Sequence, residues 1–144
     1  MKKIMIINGP NINMLGIREP DIYGTDSLEK IKEICVNKAK ELDFELDFFQ
    51  SNSEGEIITC IQNCFKKYDG IVINPAGYTH TSVAILDALK AVSIPTIEVH
   101  ISNIFKRESF RNFSYISLYA NAVISGCGIN GYVLALDGLK NILK

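Results

Sequence analysis

The sequence predicts an α/β protein, a three-layer sandwich in which helices cover both faces of a five-stranded parallel sheet. Three observations carry that expectation. Short apolar runs alternate with segments of helical periodicity along the 144 residues, the pattern of repeated strand–helix units. The run from Lys3 to Asn8 is nearly continuous in its apolar residues, as in a strand buried on both faces. Apolar residue types make up 47% of the chain, enough for the core of one domain spanning residues 1–144.

The strand from Lys3 to Asn8 is ended by Asn8-Gly9-Pro10. Leu28, Ile31, Cys35, Ala39 and Leu42 fall at helical spacing, with Asp26 or Ser27 as N-cap. Phe44 to Gln50 alternates and reads as a second strand. Ser53-Glu54-Gly55-Glu56 fits a capping box ahead of Ile57, Ile58, Ile61, Cys64 and Phe65. A strand over Gly70 to Asn74, a helix over His80 to Val92 and a strand over Ile94 to Val99 follow. A connection from about Ser102 to Tyr119 leads to a strand from Asn121 to Ser125 and a helix from Ile129 to Leu143. Five strands joined in this way suggest the flavodoxin-like order 2-1-3-4-5. A connection that long inside one domain is usually functional.

The formal charge is -1, with acids and bases mixed along the chain. A nucleic-acid or membrane-surface protein would carry a basic stripe, so neither partner is expected. The first apolar run is too short for a secretory signal, and no stretch approaches the ~20 apolar residues of a membrane span. A cytoplasmic protein is expected. Cys35, Cys60, Cys64 and Cys127 read as reduced core thiols. Cys60 and Cys64 share a helix face, but a metal site would need further ligands nearby.

Ligands in such sheets bind beyond the carboxyl ends of the strands, at the switch point between strands 1 and 3. The segments leaving those ends hold the residues able to do chemistry. The first runs from Asn8 to Gly24 and carries Asn11, Arg18 and Tyr23. The second is Asn74-Pro75-Ala76-Gly77-Tyr78-Thr79-His80-Thr81-Ser82. The third is Glu98-Val99-His100-Ile101-Ser102-Asn103, followed by Arg107 and Arg111. Both histidines and all the arginines therefore converge on one rim.

These segments resemble the type II 3-dehydroquinate dehydratase family. The first resembles its Asn-Gly-Pro-Asn-x-Asn-x-Leu-Gly-x-Arg-Glu-Pro signature with the following Tyr-Gly, the second its Asn-Pro-x-x-Tyr-Thr-His-Thr-Ser segment, the third its Glu-Val-His-x-Ser-Asn with two arginines. Gln50-Ser51-Asn52 and Glu54-Gly55-Glu56 match as well. The likeness covers essentially the whole chain. It departs at Ser53, where the family often has His, at Leu86, where Arg is common, and at Phe105-Lys106, which replaces His-Ala.

The resemblance implies removal of water from 3-dehydroquinate to give 3-dehydroshikimate, a step of the shikimate pathway. It implies an anti elimination through an enolate, with no cofactor, metal or Schiff base. Tyr23 would be the base. A free tyrosine has a pKa of ~10, so working near pH 7.5 requires ~3.4 kcal/mol of preferential phenolate stabilisation. Arg18, earlier in the same loop, and Arg107 would supply it. His100 would be the general acid, with Glu98 on the same strand face fixing its tautomer. Asn11 would hold the enolate oxygen, directly or through a water. Asn74, His80, Ser102 and Arg111 look like substrate-binding positions. The backbone N–H groups of Ile101 and Ser102 suit a carboxylate, and Arg111 a ring hydroxyl. His80 is read as opening a helix whose N-terminus favours anionic or hydroxyl-rich ligands. The helix from His80 to Val92 is apolar nearly all round, which suggests a covering subunit. The resemblance implies trimers assembled into dodecamers, with Asp87 reaching a neighbour's site.

Other readings have weaker support. Gly126-Cys127-Gly128-Ile129-Asn130-Gly131 fits the dinucleotide pattern G-x-G-x-x-G between a strand and a helix. Yet no strand and no acidic residue ~20 positions on follow it, and tight packing of the last helix is the simpler role. A non-enzymatic flavodoxin-like or nucleotide-binding module is the alternative. The first loop lacks both the acidic cluster of a receiver and the Ser/Thr/Gly-rich phosphate loop of a flavin module. A Schiff-base enzyme needs a desolvated lysine, and the rim segments offer only Lys106, in the long connection.

Overall fold

Alternate residues of a strand face opposite sides of a sheet, and here both sides are apolar. A computed structural model describes residues 1–17 and 26–144; Arg18 and Tyr23 lie outside the described residues. The elements are β1 (Lys2–Asn8), α1 (Leu28–Leu42), β2 (Phe44–Gln50), α2 (Glu54–Asn63), β3 (Gly70–Asn74), α3 (Val83–Val92), β4 (Thr96–His100), β5 (Ala122–Ser125) and α4 (Asn130–Ile142). The strands pair in parallel in the order β2-β1-β3-β4-β5, the flavodoxin-like arrangement that the sequence predicts.

Ile4, Ile6, Val72, Ile97 and Val99 face α1 and α4, where they pack with Ile31, Cys35, Tyr132, Ala135 and Leu139. Ile7, Ile71 and Ile73 face α2 and α3, against Ile57, Ile61, Ile85 and Leu89. Burying each such aliphatic side chain contributes roughly 1.5–3 kcal/mol. Of the two candidate caps for the first helix, Ser27 is the one used, its hydroxyl accepting from Lys30 N–H. Ser53 caps α2 through Glu56 N–H, so this departure from the family pattern serves the local backbone. Leu86, another departure, is buried in the core beside α2.

Three expectations need correction. The third helix begins at Val83, not at His80, because Ser82 takes Ile85 N–H as its cap. His80 instead ends a 3-10 turn over Ala76–His80, so it holds no helix N-terminus. Cys35, Cys60 and Cys64 are buried, but Cys127 is exposed, between two glycines of positive φ, Gly126 and Gly128. Phe65 lies beyond the end of α2 and is 52% exposed. The long connection is folded into three 3-10 turns, Ile104–Lys106, Ser109–Arg111 and Ile116–Leu118.

The chain leaves β1 toward one face of the sheet and β3 toward the other, which opens a crevice where Asn8 and Asn74 end the two strands as register partners. Gly9 closes the base of the crevice. Its N–H donates to Asn74 O at 2.8 Å, and a Cβ there would lie 2.6 Å from the carbonyl oxygen of Pro75. Gly9→Ala is therefore expected to destabilise the protein by about 1–3 kcal/mol, read by calorimetry as a Tm lower by several degrees. Gly55→Ala, in α2 with no neighbour closer than 3.8 Å, is expected to leave Tm unchanged or raise it slightly.

Candidate active site

A cleft of about 380 Å³ opens at the carboxyl ends of β1, β3 and β4. Asn11, Asn74, His80, His100, Ile101, Ser102, Arg107 and Arg111 all line it. The fold thus brings together every site residue predicted from the sequence that lies among the described residues, except Glu98 and Asp87. Glu98 is sealed behind His100 with no exposure. Asp87 is exposed on α3 and does not line the cleft.

Glu98 is the strongest feature of the site. Alternation along β4 puts its side chain on the same face as that of His100. Its Oε2 accepts from His100 Nε2 at 2.5 Å, Ser114 Oγ at 2.8 Å and Thr79 Oγ1 at 2.9 Å. Its Oε1 accepts from Ser117 Oγ at 2.6 Å. Burial raises its pKa, but hydrogen bonds from His100, Ser117 and Ser114 and the charge interaction with His100 together outweigh it, and the carboxyl is held below its usual range. Because Glu98 Oε2 is an acceptor, the hydrogen in the His100 bond sits on Nε2, leaving Nδ1 to a ligand.

His80 is fixed the opposite way. Its Nδ1 lies 2.7 Å from the carbonyl oxygen of Phe113, which can only accept, so Nδ1 carries the hydrogen. The two imidazoles lie nearly parallel, centroids 6.5 Å apart at 18°. Tyr115 N–H bonds Thr79 O at 2.9 Å, so the long connection is tied to the loop after β3 by backbone as well as through Glu98.

The first loop is braced from β2. Gln50 Nε2 donates to Gly9 O at 3.1 Å, and Asn52 Oδ1 accepts from Asn11 N–H at 3.0 Å. Asn11 has φ 73°, a left-handed conformation that Asn tolerates better than most residues. Ala76, at φ 53°, is strained by roughly 1–2 kcal/mol, held there by the Asn74 Oδ1 bond to its N–H at 3.0 Å. Among the described residues, neither Ile101 N–H nor Ser102 N–H has an acceptor. Arg111 is steered by Glu108, which takes its Nε–H at 2.6 Å. Lys106 does not line the cleft. Among the described residues, no group of three His, Cys, Asp or Glu is placed to hold a metal ion, and no helix is long and apolar enough to cross a membrane.

Several supporting residues carry no mark of their role in the sequence. Thr79, Ser114 and Ser117 share no periodicity with Glu98. Asn8 marks only the turn that ends β1, and nothing in the sequence distinguishes Tyr132 within the last helix. Asn52 belongs to the Gln50-Ser51-Asn52 motif, but its bond to Asn11 joins positions that only the fold brings together.

Residues 2–140 match the family model described as Dehydroquinase class II. A 3-dehydroquinate dehydratase of Caldicellulosiruptor bescii is 58% identical, covering 99% of each chain. One from Endomicrobium trichonymphae is 54% identical over 99% of this chain and all of its own. The crystal structure of the type II dehydroquinase from Butyrivibrio crossotus superposes with a TM-score of 0.91 at 48% identity, covering 97% of both chains.

Folding lowers the Glu98 pKa, so its stabilising contribution is present above the unfolded value of about 4.3 and is lost as pH falls through the lower folded value. Tm is expected to fall with pH below the carboxylate range, and Glu98→Gln to flatten that limb. The same variant removes the negative charge that supports the His100 imidazolium, and turnover should drop at least about 100-fold. An unchanged acid limb in Glu98→Gln would show that this carboxylate is not ionised in the native state.

Proposed function

The chain belongs to the class II dehydroquinase family, hydro-lyases, and on that premise we propose that it converts 3-dehydroquinate to 3-dehydroshikimate and water through an enolate, with Tyr23 as base and His100 as acid. The Glu98–His100 pair carries the reading. An imidazole lining a cleft, backed by a buried carboxylate on one nitrogen and open at the other, suits the delivery of a proton to a leaving hydroxyl.

Tyr23 removes the proton beside the ketone, and the electron pair moves to the carbonyl oxygen, where Asn11 receives the enolate. The neighbouring hydroxyl then departs anti, taking a proton from His100 Nδ1 to leave as water. The ring returns to its neutral form with Nε2–H still on Glu98. Proton transfer from Tyr23 back to His100 through solvent resets the pair. Arg18, with Arg107, favours the phenolate. The open N–H groups of Ile101 and Ser102 suit the substrate carboxylate, while Asn74, His80 and Arg111 suit its ring oxygens.

No lysine lines the cleft among the described residues, which supports an enolate rather than a Schiff base. The outward face of α3, where Val83, Ala84 and Ala91 are exposed beside Asp87, supports assembly into trimers and dodecamers with Asp87 reaching a neighbouring cleft. A single catalytic domain acting in the cytoplasm in the shikimate pathway completes the reading.

Arg18→Ala should impair turnover about as severely as Tyr23→Phe, by at least about 100-fold, and should move the acid limb of the pH–rate profile to higher pH. An Arg18→Ala enzyme with unaltered turnover and profile would remove the tyrosinate from the mechanism. Borohydride added with substrate should leave activity intact; lasting inactivation with substrate attached to Lys106 would overturn the enolate route.

A further inference from the structure

Tyr132 is the largest fully buried side chain among the described residues, and the elimination makes no use of it. It stands in the first turn of α4, on the far side of the sheet from α2 and α3, and reaches the crevice between β1 and β3 from beneath. Its hydroxyl donates to Asn8 Oδ1 and accepts from Asn74 Nδ2 at 2.9 Å. Those asparagines are the last residues of the two strands that part at the switch point. Burial holds the phenol above the ordinary tyrosine range, so the hydroxyl keeps the proton it donates.

The two bonds have opposite polarity. An amide oxygen only accepts, and an amide nitrogen only donates. A hydroxyl between them must therefore do both. Asn74 is held at its other end too, since its Oδ1 takes the Ala76 N–H at 3.0 Å. With oxygen and nitrogen each committed, the amide has one orientation. One hydrogen of Nδ2 is on Tyr132, and the other is left for the cleft that Asn74 lines. An apolar residue in place of Tyr132 would leave Nδ2 without its acceptor in a buried site and let the amide turn.

We propose that Tyr132 is a positioning residue for substrate binding: through its hydroxyl it sets the Asn74 amide so that an N–H faces a substrate oxygen in the cleft. This rests on the reading of Asn74 as a substrate-binding residue. Tyr132 touches no substrate, and its effect passes through Asn74 alone. Asn8 serves as the acceptor that turns the hydroxyl's lone pair toward Asn74.

The test is steady-state kinetics with 3-dehydroquinate on the full-length enzyme and on Tyr132→Phe, Asn74→Ala and the double variant. Tyr132→Phe is expected to raise KM about tenfold, the scale of one oriented hydrogen bond, with kcat within threefold. The double variant is expected to match Asn74→Ala, because the amide that Tyr132 orients is gone. KM does not depend on the fraction of protein that is folded, so partial misfolding of Tyr132→Phe lowers only the maximal velocity. An unchanged KM in Tyr132→Phe beside a raised KM in Asn74→Ala overturns the inference and leaves Asn74 as a binding residue. The same rise for Tyr132→Phe with and without the Asn74 amide also overturns it, since Tyr132 would then act elsewhere. An unchanged KM in Asn74→Ala removes the binding role of Asn74 and the inference with it.

Discussion

A carboxylate with no exposure to solvent has to be compensated by the protein around it, and the site is shaped by how Glu98 is compensated. An unpaired buried charge costs several kcal/mol, and β4 alone offers it only His100. The remaining donors come from two other segments, Thr79 after β3 and Ser114 and Ser117 in the long connection. Those hydroxyls do two things at once. With His100, those of Ser117 and Ser114 hold the carboxyl below its usual range, and they fold the connection down against the rim, where Tyr115 and Phe113 make their own bonds to Thr79 and His80. The wall of the cleft and the charge state of the Glu98–His100 pair thus have one physical origin.

The opposite end of the cleft is governed by neutral groups. Asn8 and Asn74 sit where β1 and β3 send the chain to opposite faces, and Tyr132 fills the gap below them. Gly9 permits the close approach there, and Ala76 is held in a strained conformation by the Asn74 side chain. Strain of this kind persists where surrounding contacts over-determine it. One end of the cleft is organised around a buried charge, the other around a neutral amide network. Neither end depends on the other for its hydrogen bonds.

Much of this was legible in the sequence because it is periodic or local. The apolar runs at Lys3–Asn8 and Gly70–Asn74 and the helical spacing of Ile31, Cys35 and Ala39 carry the strand and helix assignments, and parallel connections leave few sheet orders open. The two-residue spacing of Glu98 and His100 puts both on one strand face. The apolar pattern of α3 begins at Val83, and the polar residues His80-Thr81-Ser82 ahead of it have no period of their own to separate a turn from a first helical turn. Ser82 was the available signal, a capping residue three positions before Ile85. The hydroxyls around Glu98 and the bridge from Tyr132 to Asn8 were not legible, because they join positions that only the folded sheet brings together, and serine and tyrosine carry no positional mark of such a role.

The two histidines offer a direct reading of this arrangement, since their bonds demand opposite tautomers. Nitrogen-15 NMR of the histidine side chains, assigned with a His80 variant, reports which ring nitrogen carries hydrogen. The buried, ionised Glu98 requires a hydrogen on Nε2 of His100 throughout the pH range in which the protein is folded, and the Phe113 carbonyl requires one on Nδ1 of His80. A His100 ring with bare Nε2 and hydrogen on Nδ1 alone would put the proton on Glu98 and contradict the ionised pair.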